Sequence, residues 1–141
     1  NEQDYVHLRM IRGKRKELGY FDIFFGRMAV DSLKEYLPEH DGSNVVFSCS
    51  TRNINGFLSR ISVRAGLEWT VSSHILRNFF SGQLKTTRVN DVRFNDTLIE
   101  YWMGHSIGRT RKAYLPSVEE QLKLYKQAEK RLEPIRISNL L

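Results

Sequence analysis

Cysteine is almost missing from this 141-residue chain: Cys49 is the only one. That excludes an internal disulfide and any zinc cage built on several thiolates, and it suits a reducing compartment. Proline (three) and glycine (nine) are few, and no flexible linker, internal repeat or low-complexity stretch interrupts the chain. Uninterrupted apolar runs are only a few residues long, far short of the roughly 20 needed to span a bilayer, so no membrane partner is expected. The opening Asn1-Glu2-Gln3-Asp4 is polar and acidic, unlike the basic and then apolar start of a secretory signal. No initiator methionine is present, so the chain is expected to be part of a longer protein.

What remains is one domain's worth of ordinary globular composition, 40 % hydrophobic and 27 % charged. The charge is lopsided. Twenty-two Lys and Arg stand against sixteen Asp and Glu, a net +6, and the isoelectric point is about 9.6. A basic chain of this size suits a polyanionic partner, with nucleic acid the foremost example.

The hydrophobic pattern predicts an α+β domain, mostly helical, with one small sheet near its start. Residues 5–12 alternate, Val6, Leu8 and Met10 against His7, Arg9 and Ile11, as a strand does. Residues 13–17 are a charged turn. Residues 19–25, rich in aromatics, form the returning strand of a hairpin with a very basic tip. A helix follows near residues 28–36 and stops at Pro38. Ser50 or Thr51 caps the next, whose Ile54, Phe57, Leu58, Ile61 and Ala65 mark one helical face, and Gly66 ends it. Ser72 or Ser73 opens a third helix, running to about Gln83. Residues 85–90 read as a basic loop. Asn95 or Asp96 caps a short apolar helix that Gly104 terminates. Ser117 and Glu120 form a capping box for a last helix with a stripe of Val118, Gln121, Leu122, Tyr125, Ala128 and Leu132. Trp69 and Trp102 are expected in the core, Cys49 as a small buried hydrophobe, and His7 and His40 at the surface.

Two segments can carry chemistry. In Ser72-Ser73-His74-Ile75-Leu76-Arg77, His74 and Arg77 lie three apart near a helix start and project from one face. Together they can grip a phosphate, Arg by its planar fork and His as acid, base or donor. In the second segment, Met103-Gly104-His105 ends the apolar helix, and Tyr114 follows nine residues after His105 in a setting of Arg109, Arg111 and Lys112. A tyrosine is a nucleophile only when cations or a base lower its hydroxyl pKa from near 10. Those three cations can do that, or can bind DNA phosphates. Lys85, Arg88 and Arg93 form a further basic stretch that either tracks a DNA backbone or is simply solvated.

In order and spacing, His-x-x-Arg followed downstream by Gly-His and a Tyr nine residues on resembles the tyrosine recombinases, the phage-integrase family. The text from Ser72 to Phe80 is similar to that family's His-x-Leu-Arg helix start. Residues 102–114 resemble its Leu-Gly-His-Ser box, with Met103 in place of the usual Leu. Residues 50–77 resemble the helix leading into the site. Residues 114–134 resemble the helix after the nucleophile in archaeal-type integrases. The likeness spans roughly residues 4–134.

The resemblance implies a truncated catalytic domain covering residues 1–141, without the core-binding domain that completes the clamp on DNA. It implies site-specific recombination of double-stranded DNA, with integration of a mobile or viral element as the setting. Tyr114 is the implied nucleophile, forming a 3′-phosphotyrosyl bond. Arg77 and His105 are implied to hold the phosphate, and His74 to act as general acid or base. A lysine at the hairpin tip, Lys16 or Lys14, is implied to protonate the leaving oxygen. Arg109, Arg111 and Lys112 are candidate DNA contacts. No metal and no nucleotide cofactor is implied, in keeping with a sequence that has neither a phosphate-binding glycine loop nor a carboxylate cluster. The implied assembly is a homotetramer on DNA, with the last helix as an interface, in the cytoplasm or nucleoid of a cell. One departure stands out: the family's other active-site arginine lies in a helical segment upstream, and Arg9 and Arg12 do not match it. The competing expectation is therefore a non-catalytic DNA-binding or assembly module, a degenerate relative.

Overall fold

The computed structural model describes residues 5–11, 19–39, 42, 46–47, 49–89 and 92–132. Among these it is an α+β protein. Strands β1 (Val6–Ile11) and β2 (Tyr20–Phe25) lead into helix α1 (Arg27–Tyr36). Helices α2 (Thr51–Arg64) and α3 (Ser73–Thr86) follow. A second small sheet, β3 (Arg88–Val89) and β4 (Val92–Arg93), precedes α4 (Asp96–Trp102), α5 (Arg109–Lys112) and α6 (Val118–Leu132). No described helix is long and apolar enough to cross a membrane.

Short polar side chains start the helices, as the sequence predicts. Ser50 accepts from Asn53 N at 3.2 Å, Ser72 from Ile75 N at 3.3 Å, and Asn95 from Thr97 N at 2.8 Å. The capping box of α6 closes both ways: Ser117 N donates to Glu120 Oε2 at 2.9 Å, and Glu120 N to Ser117 Oγ at 3.3 Å. The backbone hydrogen bond from Ser117 holds the Glu120 carboxyl below its ordinary range. Helix α1 is different. Its cap position is Gly26, which has no side chain to offer. Glu129 of α6 supplies the missing acceptor, taking Arg27 N at 2.8 Å and the Tyr5 hydroxyl. A Cβ at Gly26 would lie 2.2 Å from Glu129 Oε1, so glycine is what lets the carboxylate reach the helix end.

Helix α4 is the hub of the core. Leu98, Ile99, Tyr101, Trp102 and Met103 are all buried, and Leu84, Phe94, Phe24, Tyr125 and Ala128 close around them. The Trp102 ring meets Phe24, Phe94 and Tyr125 at centroid separations of 5.8, 5.9 and 6.0 Å, the spacing at which aromatic pairs attract. Its indole N–H donates to Gln121 Oε1 at 2.9 Å. The α6 stripe is therefore taken up by its own chain: Gln121, Tyr125 and Ala128 are buried, and Val118, Leu122 and Leu132 pack around them.

Strand register puts two polar residues of β1 on the face that carries Asp22. Arg9 pairs with Asp22 and His7 with Phe24, so His7 and Arg9 share a face with Asp22, which is 2 % exposed. Asp22 accepts from three donors: His7 Nε2 at 2.7 Å, Arg9 Nε at 3.0 Å and the Tyr101 hydroxyl at 2.6 Å. His7 is an exposed residue, as the sequence reading has it, and its ring is held at this cluster, stacking on Phe24 at 5.2 Å.

Apolar faces are covered less than their patterning suggests, and the placements of Trp69, Cys49 and the basic loop change. Val6, Leu8 and Met10, the apolar set of β1, remain exposed. Val6 and Leu8 border an open apolar groove of about 510 Å³ with Leu33, Tyr36 and Phe47. Helix α2 packs chiefly on α3, so among the described residues no layer covers its stripe, and Ile54, Phe57 and Ile61 are exposed. Trp69, expected in the core, lies in the connection from α2 to α3 and is 56 % exposed. Cys49 precedes α2 and is exposed, not buried. The stretch read as a basic loop ends α3 and enters the β3–β4 ladder. His40, Arg12 and the hairpin tip lie outside the described residues.

The Asp22 cluster sets a pH dependence. Burial pushes the carboxyl upward, but hydrogen bonds from Tyr101, Arg9 and His7 outweigh it and hold the pKa below its ordinary value. Burial, then the hydrogen bond to Asp22, holds the Tyr101 hydroxyl protonated well above its ordinary range. A lowered acid pKa contributes stability above the unfolded value and loses it as pH falls; a raised one loses it as pH rises past the unfolded value. Urea unfolding across pH is thus predicted to show stability dropping below about pH 4 and above about pH 10. Both drops shrink in Asp22→Asn. At neutral pH, Asp22→Ala is predicted to cost about 2–3 kcal/mol and Tyr101→Phe about 1.5 kcal/mol.

Candidate active site

The His-x-x-Arg helix start is held in place from α2. Ser62 Oγ donates to Leu58 O at 2.8 Å and accepts from Val71 N at 2.8 Å. Asn55 Oδ1 accepts from Ser73 N at 2.9 Å. Gly66, at φ +67°, completes the turn between the helices: Gly66 N bonds Val63 O and Leu67 N bonds Ser62 O, both at 3.0 Å. That is the Schellman pattern. It brings the chain back so that α3 starts with His74 exposed in its first turn.

The Gly-His segment is built by the same device. Gly104, at φ +69°, follows α4; Gly104 N bonds Tyr101 O and His105 N bonds Glu100 O, both at 2.9 Å. The reversal throws the His105 side chain back along α4, where its Nδ1 meets the Glu100 carboxylate. Glu100, missed by sequence reasoning, thereby orients the imidazole. Its signal was its position five residues before the histidine.

Arg77 joins the two segments. Its guanidinium donates to the Met103 carbonyl, one of the acceptors left over where α4 ends. Residues 26 apart in sequence therefore meet beside the Gly104 turn. A cation there also suits the negative end of the helix.

Tyr114 sits past the single turn of α5, its backbone N–H bonded to Arg111 O at 3.2 Å. It is 81 % exposed. Among the described residues its hydroxyl makes no hydrogen bond, to His74, Arg77, His105 or any other group. It lines grooves of about 350 and 580 Å³ on the α6 side, with Arg93, Leu115 and Pro116 in one and Glu120 and Lys123 in the other. Arg109 and Arg111 project into solvent, whereas Lys112 reaches back to Tyr20 O at 3.2 Å. Lys14 and Lys16 lie outside the described residues. Among those described, no group of three or more His, Cys, Asp or Glu is placed to hold a metal ion.

The structure thus brings Arg77 to the turn that carries His105, and leaves Tyr114 apart from both as a free side chain. Compared with family models, curated proteins and solved structures, the chain matches none.

Gly104→Ala forces an L-residue into the left-handed region and brings its Cβ to 3.4 Å from the Phe21 ring. It is predicted to cost about 1–2 kcal/mol in urea unfolding. Glu100→Gln, by contrast, should change stability by less than about 0.5 kcal/mol.

Proposed function

We propose that this chain is the catalytic part of a tyrosine recombinase that cleaves and rejoins double-stranded DNA. The observation that carries the reading is the Arg77 contact with Met103 O, which draws the His-x-x-Arg and Gly-His segments to one spot, with the exposed Tyr114 following α5. The basic net charge supports the same partner.

In this reading Tyr114 Oη attacks a backbone phosphorus. The new bond is tyrosyl O–P, the bond broken is P–O5′, and the products are a 3′-phosphotyrosyl linkage and a free 5′-hydroxyl. The phenolic proton passes to His74. The leaving oxygen takes its proton from Lys16 or Lys14. Arg77 and His105 donate to the non-bridging oxygens and stabilise the charge that builds on pentacoordinate phosphorus. Energy is conserved in the phosphotyrosyl bond, so a 5′-hydroxyl can reverse the step and religate. Each named proton transfer is assigned to a residue of this chain, and assembly as a tetramer on DNA belongs to the proposal.

One observation favours the second reading, a non-catalytic DNA-binding or assembly module: the Tyr114 hydroxyl is hydrogen-bonded to none of the groups meant to activate it. Such a module binds DNA with strong salt dependence and forms no adduct.

A pool of nicked suicide duplexes distinguishes the two. The recombinase reading predicts a denaturant-resistant protein–DNA adduct that Tyr114→Phe abolishes without weakening binding. It also predicts that Arg77→Ala slows adduct formation by about 100- to 1000-fold. An adduct that survives Tyr114→Phe removes that residue as nucleophile. Binding with no adduct selects the second reading.

A further inference from the structure

We propose that Arg88 and Arg93 form a clamp for two neighbouring phosphates of one DNA strand, beside Tyr114; the DNA as ligand rests on the function proposed above. The starting point is the register of the β3–β4 ladder, in which Arg88 pairs directly with Arg93. Directly opposed residues share a face with Cβ atoms about 4.5–5.5 Å apart, and like charges there destabilise the ladder. A sheet of two residues per strand has little stability to spare for such repulsion.

Asp91, the acid between them in sequence, lies outside the described residues. Both arginines are exposed, and among the described residues neither guanidinium pairs with a carboxylate. The ladder is oriented from its other face and from its ends. Val89 packs against the core, Phe94 is buried immediately after β4, and Thr87, buried before β3, donates to Gln83 O at 2.7 Å. The arginines are thus presented outward on a fixed support, with no carboxylate partner among the described residues.

Their place says which anion. Arg93 borders the groove of about 350 Å³ that Tyr114 also lines, and the adjoining groove adds Lys123. Glu120 is the acid in that second groove, and one of its oxygens is engaged by Ser117 N. A strand whose phosphodiester is presented to Tyr114 would therefore pass its flanking phosphates over the arginine pair. Guanidinium forks bind phosphate oxygens two at a time. Because the contact is to backbone, it is independent of base sequence.

The test is equilibrium binding to a duplex of arbitrary sequence, roughly 30 base pairs long, as salt rises from about 50 to 200 mM. Each phosphate contact contributes a slope of about −0.9 to the log–log plot. Arg88→Gln/Arg93→Gln is expected to flatten the slope by about 1.8, so that affinity falls about tenfold less over this range. The charge-matched control, Lys130→Gln/Arg131→Gln, lies at the far end of α6 and should leave the slope in place. Arg88→Lys/Arg93→Lys should restore it. Thermal unfolding adds a readout that a merely structural role would not give: the Gln pair should melt no lower than the parent protein, since it relieves repulsion.

An unchanged slope in the Gln pair, an equal loss in the control, or failure of the Lys pair to restore the slope overturns the clamp. If the Gln pair unfolds, the single variants Arg88→Gln and Arg93→Gln decide, each expected to flatten the slope by about 0.9 and an unchanged slope in both overturning the clamp. The two proposals fail separately. A flattened slope with no Tyr114 adduct leaves the clamp and removes the enzyme; an adduct with an unchanged slope does the reverse.

Discussion

The interaction on which the rest of this structure depends is a single buried carboxylate. Asp22 receives hydrogen bonds from both members of the β1 polar face and from Tyr101, 79 residues away. A carboxylate at this depth is tolerable only while it is well donated to, so the three donors and the acceptor fix one another. The consequence reaches beyond the hairpin. Tyr101 belongs to α4, α4 ends in the Gly104 turn, and that turn carries His105 and receives Arg77. The hairpin, the central helix and the candidate phosphate site are therefore parts of one connected arrangement.

Around it the fold repeats one solution, that of borrowing caps from distant elements. Glu129 of α6 caps α1, Asn55 of α2 holds the start of α3, and Arg77 of α3 takes a carbonyl at the end of α4. Each such bond satisfies a backbone group that a helix end would otherwise leave open, and each also sets the angle between two elements. In a chain with one cysteine, these polar contacts and the aromatic cluster around Trp102 orient the pieces.

The local rules were legible in the sequence. Ser50, Ser72, Asn95 and the Ser117–Glu120 box cap the helices they were expected to cap, and Gly66 and Gly104 end theirs. Such signals depend only on neighbours along the chain. What covers an apolar face depends on distant elements, which is why periodicity marked the stripe of α2 but not its exposure, and why Trp69 and Cys49 were misplaced. The β1 alternation was legible, but its direction was not. Ordinary hydrophobic logic puts Val6, Leu8 and Met10 inside, whereas it is the exposed His7 and Arg9 that bond to the buried Asp22. In the candidate site, Arg77 and His105 were recognisable by motif. Glu100 and Asp22 were not, since an acid in a helix or strand reads as a solvated residue until its partner arrives from elsewhere. The Arg88–Arg93 pairing needed the strand register, which a two-residue ladder does not announce.

The proposed function turns on a tyrosine that becomes linked to DNA. Digesting DNA-trapped protein with trypsin and mapping the modified peptide by mass spectrometry tests this. Nucleotide is expected on the peptide of residues 113–123, at Tyr114. Attachment to any other residue, or unmodified peptide from protein that demonstrably holds DNA, would contradict it.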